Sequence, residues 1–227
     1  MKKFYLLIVA TLLSGAAFAQ SVKYGIKVGA NLANVTKTTF EFNGASEESL
    51  QPKSLMGYQF GTFANISLAN TFAIQPELLF STQGWKGKES GVEEGTPYTA
   101  ETTFKSTYLN VPVLFEYKPI LGLGFILGPQ FGYQINKKQD FKVSALGMSQ
   151  TESLNSEDLD NEAKDAGFEY NKFDLAAVVG AQYTITKFVV GLRYNMGLTS
   201  SSKSNIDGLK LKGGKNNVFN FSVGYTF

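Results

Sequence analysis

Stepping back from Phe227 two residues at a time meets Tyr225, Val223, Phe221 and Phe219, with Thr226, Gly224, Ser222 and Asn220 between them. A period of two places alternate side chains on opposite faces of a strand, so this end of the chain predicts a strand with one greasy and one polar side. The alternation recurs seven times upstream, over Val22–Asn34, Met56–Leu68, Thr71–Gln83, Tyr108–Lys118, Gly124–Ile135, Asn171–Thr184 and Lys187–Leu198. Phe72, Ile74, Pro76, Leu78 and Phe80, for example, oppose Gln75, Glu77, Ser81 and Gln83. Phe63 is an exception, an aromatic on the polar face of the second strand.

Each segment reaches the roughly 9–11 residues with which a tilted strand crosses hydrocarbon. The connections alternate in length. Leu68–Thr71, Lys118–Gly124 and Thr184–Lys187 leave room only for tight turns, whereas residues 35–55, 84–107, 136–170 and 199–216 are long and polar and read as loops. Eight strands with this asymmetry predict an all-β, eight-stranded antiparallel up-and-down transmembrane β-barrel, with lipid outside, a polar lumen and both termini on the periplasmic side. Pro76, Pro112 and Pro129 fall inside strands, where a missing N–H has to be absorbed at a bulge or a gap in the ladder.

With the first strand running outward, Tyr24, Phe72, Tyr117, Phe125, Tyr183, Phe188 and Tyr225 fall at the periplasmic ends. Tyr58, Phe80, Tyr133, Phe173 and Phe219 fall near the opposite ends, with Val28, Ile74, Val113, Leu127, Val179 and Leu192 between. Two aromatic belts around an aliphatic band match the two membrane interfaces. A water-soluble barrel would instead expose this outward apolar face to water. Trp85, just above the third strand, reads as an interface anchor.

The N-terminus supports export. Lys2 and Lys3, the apolar run Phe4–Leu13 and the small-x-small site Ala17-Phe18-Ala19 predict a signal peptide over residues 1–19, cleaved after Ala19, ahead of a barrel domain over residues 20–227. That run is shorter than the roughly 20 residues of a membrane-spanning helix. Removing Lys2 and Lys3 from the 21 basic residues leaves 19 against 19 acidic ones. A neutral chain argues against nucleic acid as a partner. With neither histidine nor cysteine, Ser-His-Asp and Cys-His catalysis and thiolate metal sites are ruled out. No enzyme activity and no cofactor are expected.

An eight-stranded bore is just wide enough for side chains to fill it. Charges there must pair or carry a heavy desolvation cost. Lys23, Lys27, Glu77, Glu116, Asp174 and Arg193 face inward, which predicts a salt-bridged plug centred on Glu77 and Arg193. From Glu152 to Glu169 the third loop holds seven acidic residues and one lysine. Asp158, Asp160, Glu162 and Glu169 stand at positions 1, 3, 5 and 12 of an EF-hand-like spacing, but position 6 is Ala163 where that motif needs glycine. A solvated acidic loop is the better reading, with weak cation binding the alternative. Terminal Phe227 with Tyr225 resembles the C-terminal signal read by the barrel-assembly machinery.

Four segments taken together, Ile74-Gln75-Pro76-Glu77-Leu78-Leu79-Phe80, Tyr108-Leu109-Asn110-Val111-Pro112-Val113-Leu114, Gly128-Pro129-Gln130-Phe131-Gly132-Tyr133 and Arg193-Tyr194-Asn195-Met196-Gly197-Leu198, resemble the PorT-like outer-membrane β-barrel proteins of Bacteroidota. The resemblance spans the mature chain. It implies an eight-stranded barrel in the cell outer membrane and carries over no catalytic or ligand residue. The expected role is a monomeric structural or interaction barrel acting through its long extracellular loops. Its expected surroundings are outer-membrane lipid, lipopolysaccharide and an external protein or surface partner. A narrow ion or small-solute channel and an accessory of type IX protein secretion are the alternatives.

Overall fold

The computed structural model describes residues 21–37, 39–42, 45–48, 52–93, 95–204 and 209–227. The expected signal peptide and its cleavage site lie outside the described residues. In chain order the elements are β1 (Ser21–Val35), β2 (Thr39–Phe42), β3 (Ala45–Glu48), β4 (Lys53–Ser67), β5 (Phe72–Glu93), β6 (Thr96–Ile120), β7 (Leu123–Ala145), β8 (Met148–Leu154), α1 (Ser156–Asp165), β9 (Phe168–Tyr170), β10 (Phe173–Ile185), β11 (Phe188–Gly197), β12 (Ser202–Ser204), β13 (Leu209–Lys212) and β14 (Asn216–Thr226). Eight of them, β1, β4, β5, β6, β7, β10, β11 and β14, pair antiparallel in that order, and β14 pairs back onto β1. The ring is closed.

Following registered partners once round the ring gives its geometry. Val22 pairs with Ile66, then come Ile74, Phe115, Leu127, Val179, Tyr194 and Phe219, and the path returns to β1 at Leu32. It therefore closes ten residues further along the strand than it began. With a rise of about 3.3 Å per residue and strands about 4.8 Å apart, that stagger tilts the strands by about 40° and sets a backbone radius of about 8 Å. Every residue on the path is apolar and turned outward, so one turn of the register traces a greasy spiral round the wall.

The faces separate as the alternation requires. Outward Tyr24, Val28, Phe60, Phe125, Leu127, Leu192 and Phe221 are exposed, while inward Lys27, Asn31, Gln75, Glu77, Glu116 and Arg193 are buried. The inside is not wholly polar. Phe63 is buried there, and Leu114, Ile126 and Val178 form an apolar cluster on the inner faces of β6, β7 and β10. The prolines cause gaps and no bulges. Pairing lapses beside Pro76 and Pro112 yet resumes in the same register, Phe63 to Glu77 and Ile66 to Ile74 on one side of β5 and Pro112 to Gln130 and Phe115 to Leu127 on β6.

Two expected loops are built otherwise. Residues 84–107 continue β5 and β6 as a ladder that runs to Glu93 opposite Thr96. Residues 136–170 continue β7, turn back as β8, and then form α1 and β9. The other two long connections carry the short strands β2, β3, β12 and β13, of which β2, β3 and β13 form one small sheet and β12 pairs with β9 in another. The hairpins overrun because nothing in water stops a ladder whose residues suit strands: Thr96, Thr99, Thr102, Thr103 and Thr107 all lie on β6.

If the outward band faces lipid and the overrunning hairpin faces water, a lysine should discriminate between them. Leu127→Lys is expected to cost about 2–4 kcal/mol and Val143→Lys on the hairpin about 0–1 kcal/mol, read by urea unfolding in lipid vesicles. Equal costs at both positions would contradict this placement.

Candidate functional site

Glu77 on β5 and Arg193 on β11 sit on strands half a ring apart, so a bond between them crosses the bore. Arg193 Nη1 donates to Glu77 Oε2 at 2.6 Å and Nη2 to Glu77 Oε1 at 2.7 Å, the two-pronged geometry a guanidinium offers a carboxylate. Lys27 Nζ of β1 donates to the same Oε1 at 2.7 Å, and Gln75 Nε2 does so at 2.6 Å. Lys27 also lies 5.1 Å from the ring centre of Phe63, which explains why an aromatic occupies that polar face. All three charges are almost fully buried.

Towards the tight turns, Glu116 of β6 accepts from Gln182 Nε2 at 2.7 Å, Asn65 Nδ2 at 2.6 Å and the half-buried Lys118 at 3.2 Å. Gly124 faces it from β7. A Cβ at that position would fall 2.2 Å from Glu116 Oε1, so only glycine leaves room for the carboxylate. Gln75 Oε1 accepts from Asn65 and Gln182, which joins this tier to the first. Towards the loops, Asn220 Nδ2 donates to Asn31 Oδ1 at 2.7 Å, and Asn31 Nδ2 donates to Ser81 Oγ at 2.9 Å. At the top of the bore Asn216 of β14 donates to the hydroxyl of Tyr108 on β6 at 3.2 Å, again across half the ring.

The six inward charges therefore do not form one network. Lys27, Glu77 and Arg193 meet, and Glu116 stands in the neighbouring tier, so two buried cations face two buried anions. Lys23 corrects the expectation: it is exposed at the turn-end mouth, because the bore widens there to solvent, and it makes no ion pair among the described residues. Asp174 accepts from Thr199 Oγ1 at 3.0 Å at the other end, apart from the cluster.

The acidic segment is a second correction. Asn155 caps α1, its side chain accepting from Glu157 N and Asp158 N while its own backbone N donates to Asp158 Oδ2. On α1 Asp158 and Glu162 share a face while Asp160 is turned away from them and pairs with Lys137, and Glu169 stands on β9. No group of acidic residues able to hold a metal ion exists among the described residues. At the C-terminus, Tyr225 packs edge-on against Phe188 and Phe227, and Phe227 N donates to Tyr24 O at 2.9 Å.

What the alternation did not reveal is a cavity of about 500 Å³ at the loop end. Trp85 of β5 faces into it and stacks on its registered partner Phe104 with ring centres 6.1 Å apart, and Phe104 stacks on Tyr170 of β9 at 5.9 Å. Trp85 is thus a wall of this chamber rather than the expected interface anchor. Lys137 Nζ lies 3.8 Å from the ring centre of Tyr170, behind the stack. Burial holds the Lys137 ammonium below the usual lysine range, against the pull of Asp160, and burial pushes the Tyr170 hydroxyl up.

A family model described as "Outer membrane protein beta-barrel domain" matches residues 18–203. Among solved structures the chain is similar to Ail, the attachment invasion locus protein of Yersinia pestis, at 15% identity and a TM-score of 0.36, covering 92% of this chain and 100% of that one. It is similar to the outer membrane protein OprG from Pseudomonas aeruginosa at 11% identity and a TM-score of 0.44, covering 91% and 96%. It is also similar to the outer membrane protease OmpT from Escherichia coli at 11% identity and a TM-score of 0.36, covering 92% and 97%. No curated protein matches the chain.

Removing one member of the buried triad strands the others. Arg193→Met is expected to cost about 3–5 kcal/mol, and the triple replacement Lys27→Met, Glu77→Leu, Arg193→Met to recover most of it, in equilibrium unfolding. A single variant within about 0.5 kcal/mol of the parent would show that the triad is not the closed unit described.

Proposed function

The chain belongs to the outer membrane protein β-barrel domain family, and from that premise we propose that it is a non-conducting, non-enzymatic barrel acting through the structure it presents at the outer face. The supporting observation is the two-pronged Arg193–Glu77 bond across the bore. With a backbone radius of about 8 Å, opposed side chains reach one another and leave no continuous water path. Below them Glu116, Gln182 and Asn65 form a second hydrogen-bonded tier.

The outer face carries the bulk of the chain's elaboration: the β5–β6 hairpin, the β7–β8 hairpin and α1 all rise beyond the ring. Elements held in place by a membrane-locked scaffold are suited to presenting a binding surface. The same proposal includes the finer likeness to PorT-like proteins, a monomeric state, lipopolysaccharide as the surrounding lipid, and Tyr225 with Phe227 as the assembly signal.

Planar-bilayer recording tests the closed bore. The parent protein is expected to give no steady channels, and the double variant Glu77→Ala, Arg193→Ala to give stepwise conductance. Steady channels in the parent that vanish in either single variant would overturn the proposal.

A further inference from the structure

Above the apolar wall, the outward faces of β4 to β7 carry a row of lysines. Lys53 of β4 stands directly opposite Lys86 of β5, and Lys105 of β6 directly opposite Lys138 of β7. All four are exposed. Their chain neighbours face the other way: Trp85 and Ser106 line the inner chamber, and Lys137 is buried against Tyr170. Like charges directly opposite one another on adjacent strands destabilise a sheet. Higher on the same face the lysines are answered, since Lys88 pairs with Glu101 at 2.8 Å and Lys142 is registered opposite that glutamate. In the row Asp140 answers Lys138 at 2.9 Å, while Lys53, Lys86 and Lys105 make no ion pair among the described residues. Two lysine pairs side by side ask for an anion.

The register makes the row level. Lys105 is the partner of Gly84, which lies two residues nearer the membrane than Lys86 on β5. Following partners from β4 to β7 climbs the barrel, and that two-residue step takes the height back. With a tilt of about 40°, a rise of about 3.3 Å and strands about 4.8 Å apart, the four Cα atoms lie within about 4 Å of one height. The two pairs are about 12 Å apart along it.

That height is set by the membrane. Lys105 stands about 10 Å above the rung of Phe80 and Leu109, where the outward apolar wall of β5 and β6 gives way to Thr82 and Thr107. This is the polar layer outside the hydrocarbon, and long lysine stems bend to place their ammonium groups in it. Between wall and row lies an outward groove of about 290 Å³, whose lining joins apolar Met56 and Tyr58 to Lys105 and Lys138.

A level row suits phosphates held at one depth better than an anion free to diffuse, and the apolar part of the groove suits an acyl chain. Diphosphoryl lipid A, the membrane end of lipopolysaccharide, carries two phosphates on a disaccharide above its acyl chains. We infer that the row is a docking site for lipid A, with one phosphate between Lys105 and Lys138, the other between Lys53 and Lys86, and an acyl chain against Met56 and Tyr58. The inference deepens the proposed function and rests on the loop end being the outer face.

Native mass spectrometry of the full barrel in lauryldimethylamine oxide reads bound lipid directly, with a chelator present so that no divalent cation bridges. Titration with diphosphoryl lipid A is expected to give one saturable adduct. Lys105→Gln with Lys138→Gln is expected to weaken it about 30-fold, the loss of two lysines at an anionic surface. Lys88→Gln with Lys142→Gln, which removes the same charge higher on the same face, is expected to leave it unchanged. Heat-modifiable gel migration checks the folding of both double variants. Equal losses in the two, equal binding of lipid A stripped of its phosphates, or displacement of lipid A by excess inorganic phosphate would each overturn the inference. Bilayer recording reads Glu77 and Arg193 and this titration reads the lysines, so the closed bore and the lipid site stand or fall separately.

Discussion

Inside a membrane a peptide N–H has no water to turn to, and each unsatisfied one costs several kcal/mol. That constraint decides the architecture. A sheet placed in hydrocarbon must pair its first strand with its last, and β1 does so with β14 from Gly25 opposite Thr226 to Val35 opposite Asn216. Closure with eight strands and a stagger of ten residues then leaves nothing free: tilt, radius and bore follow from the register. Even the prolines conform, since Pro76 and Pro112 remove donors without shifting the ladder on either side.

A bore of this radius has to be filled, and what fills it must be satisfied without solvent. Glu77 accepts four bonds, two from Arg193 and one each from Lys27 and Gln75, which uses the capacity of a carboxylate. A buried ionic cluster of this kind does little for net stability compared with apolar packing. Apolar packing was available, as Leu114, Ile126 and Val178 show on the inner faces of β6, β7 and β10. The cluster instead ties β5, β11 and β1 together at one height across the bore, through a bidentate pair that tolerates little slippage.

The strands were legible in the sequence because lipid and bore impose opposite demands on alternate residues. Where both faces meet water, that contrast disappears, so the alternation ends at Gln83, Tyr108 and Ile135 although the ladders continue. The remaining signal there was the threonine-rich composition of 96–107, which marks strand propensity but no face. α1 is polar on most sides with Leu159 as its one buried residue, so it shows no apolar stripe. Its capping pair Asn155 and Asp158 was the readable sign. The inward direction of Trp85 is hidden for the same reason as the hairpins, because it stands on β5 beyond Gln83, where the alternation no longer marks a face. Lys23 has the inward parity of Lys27, but parity says nothing of depth, and four residues separate a buried cation from an exposed one.

The ring's two rims are unequal, and that inequality creates the chamber. β1, β10, β11 and β14 stop near the membrane, whereas β5, β6 and β7 run on, β5 by the stretch from Gln83 to Glu93, or roughly 25 Å measured along the barrel axis. The overrun stands as a wall on one side of the mouth, and α1 with β9 folds against its inner edge to bring Tyr170 onto Phe104. Directly beneath, the Asn216–Tyr108 bond spans the bore, and the Glu77 cluster lies below that. Whatever enters from the loop end meets the aromatic faces of the tall wall and the amides beneath it first, and the buried ion pairs next.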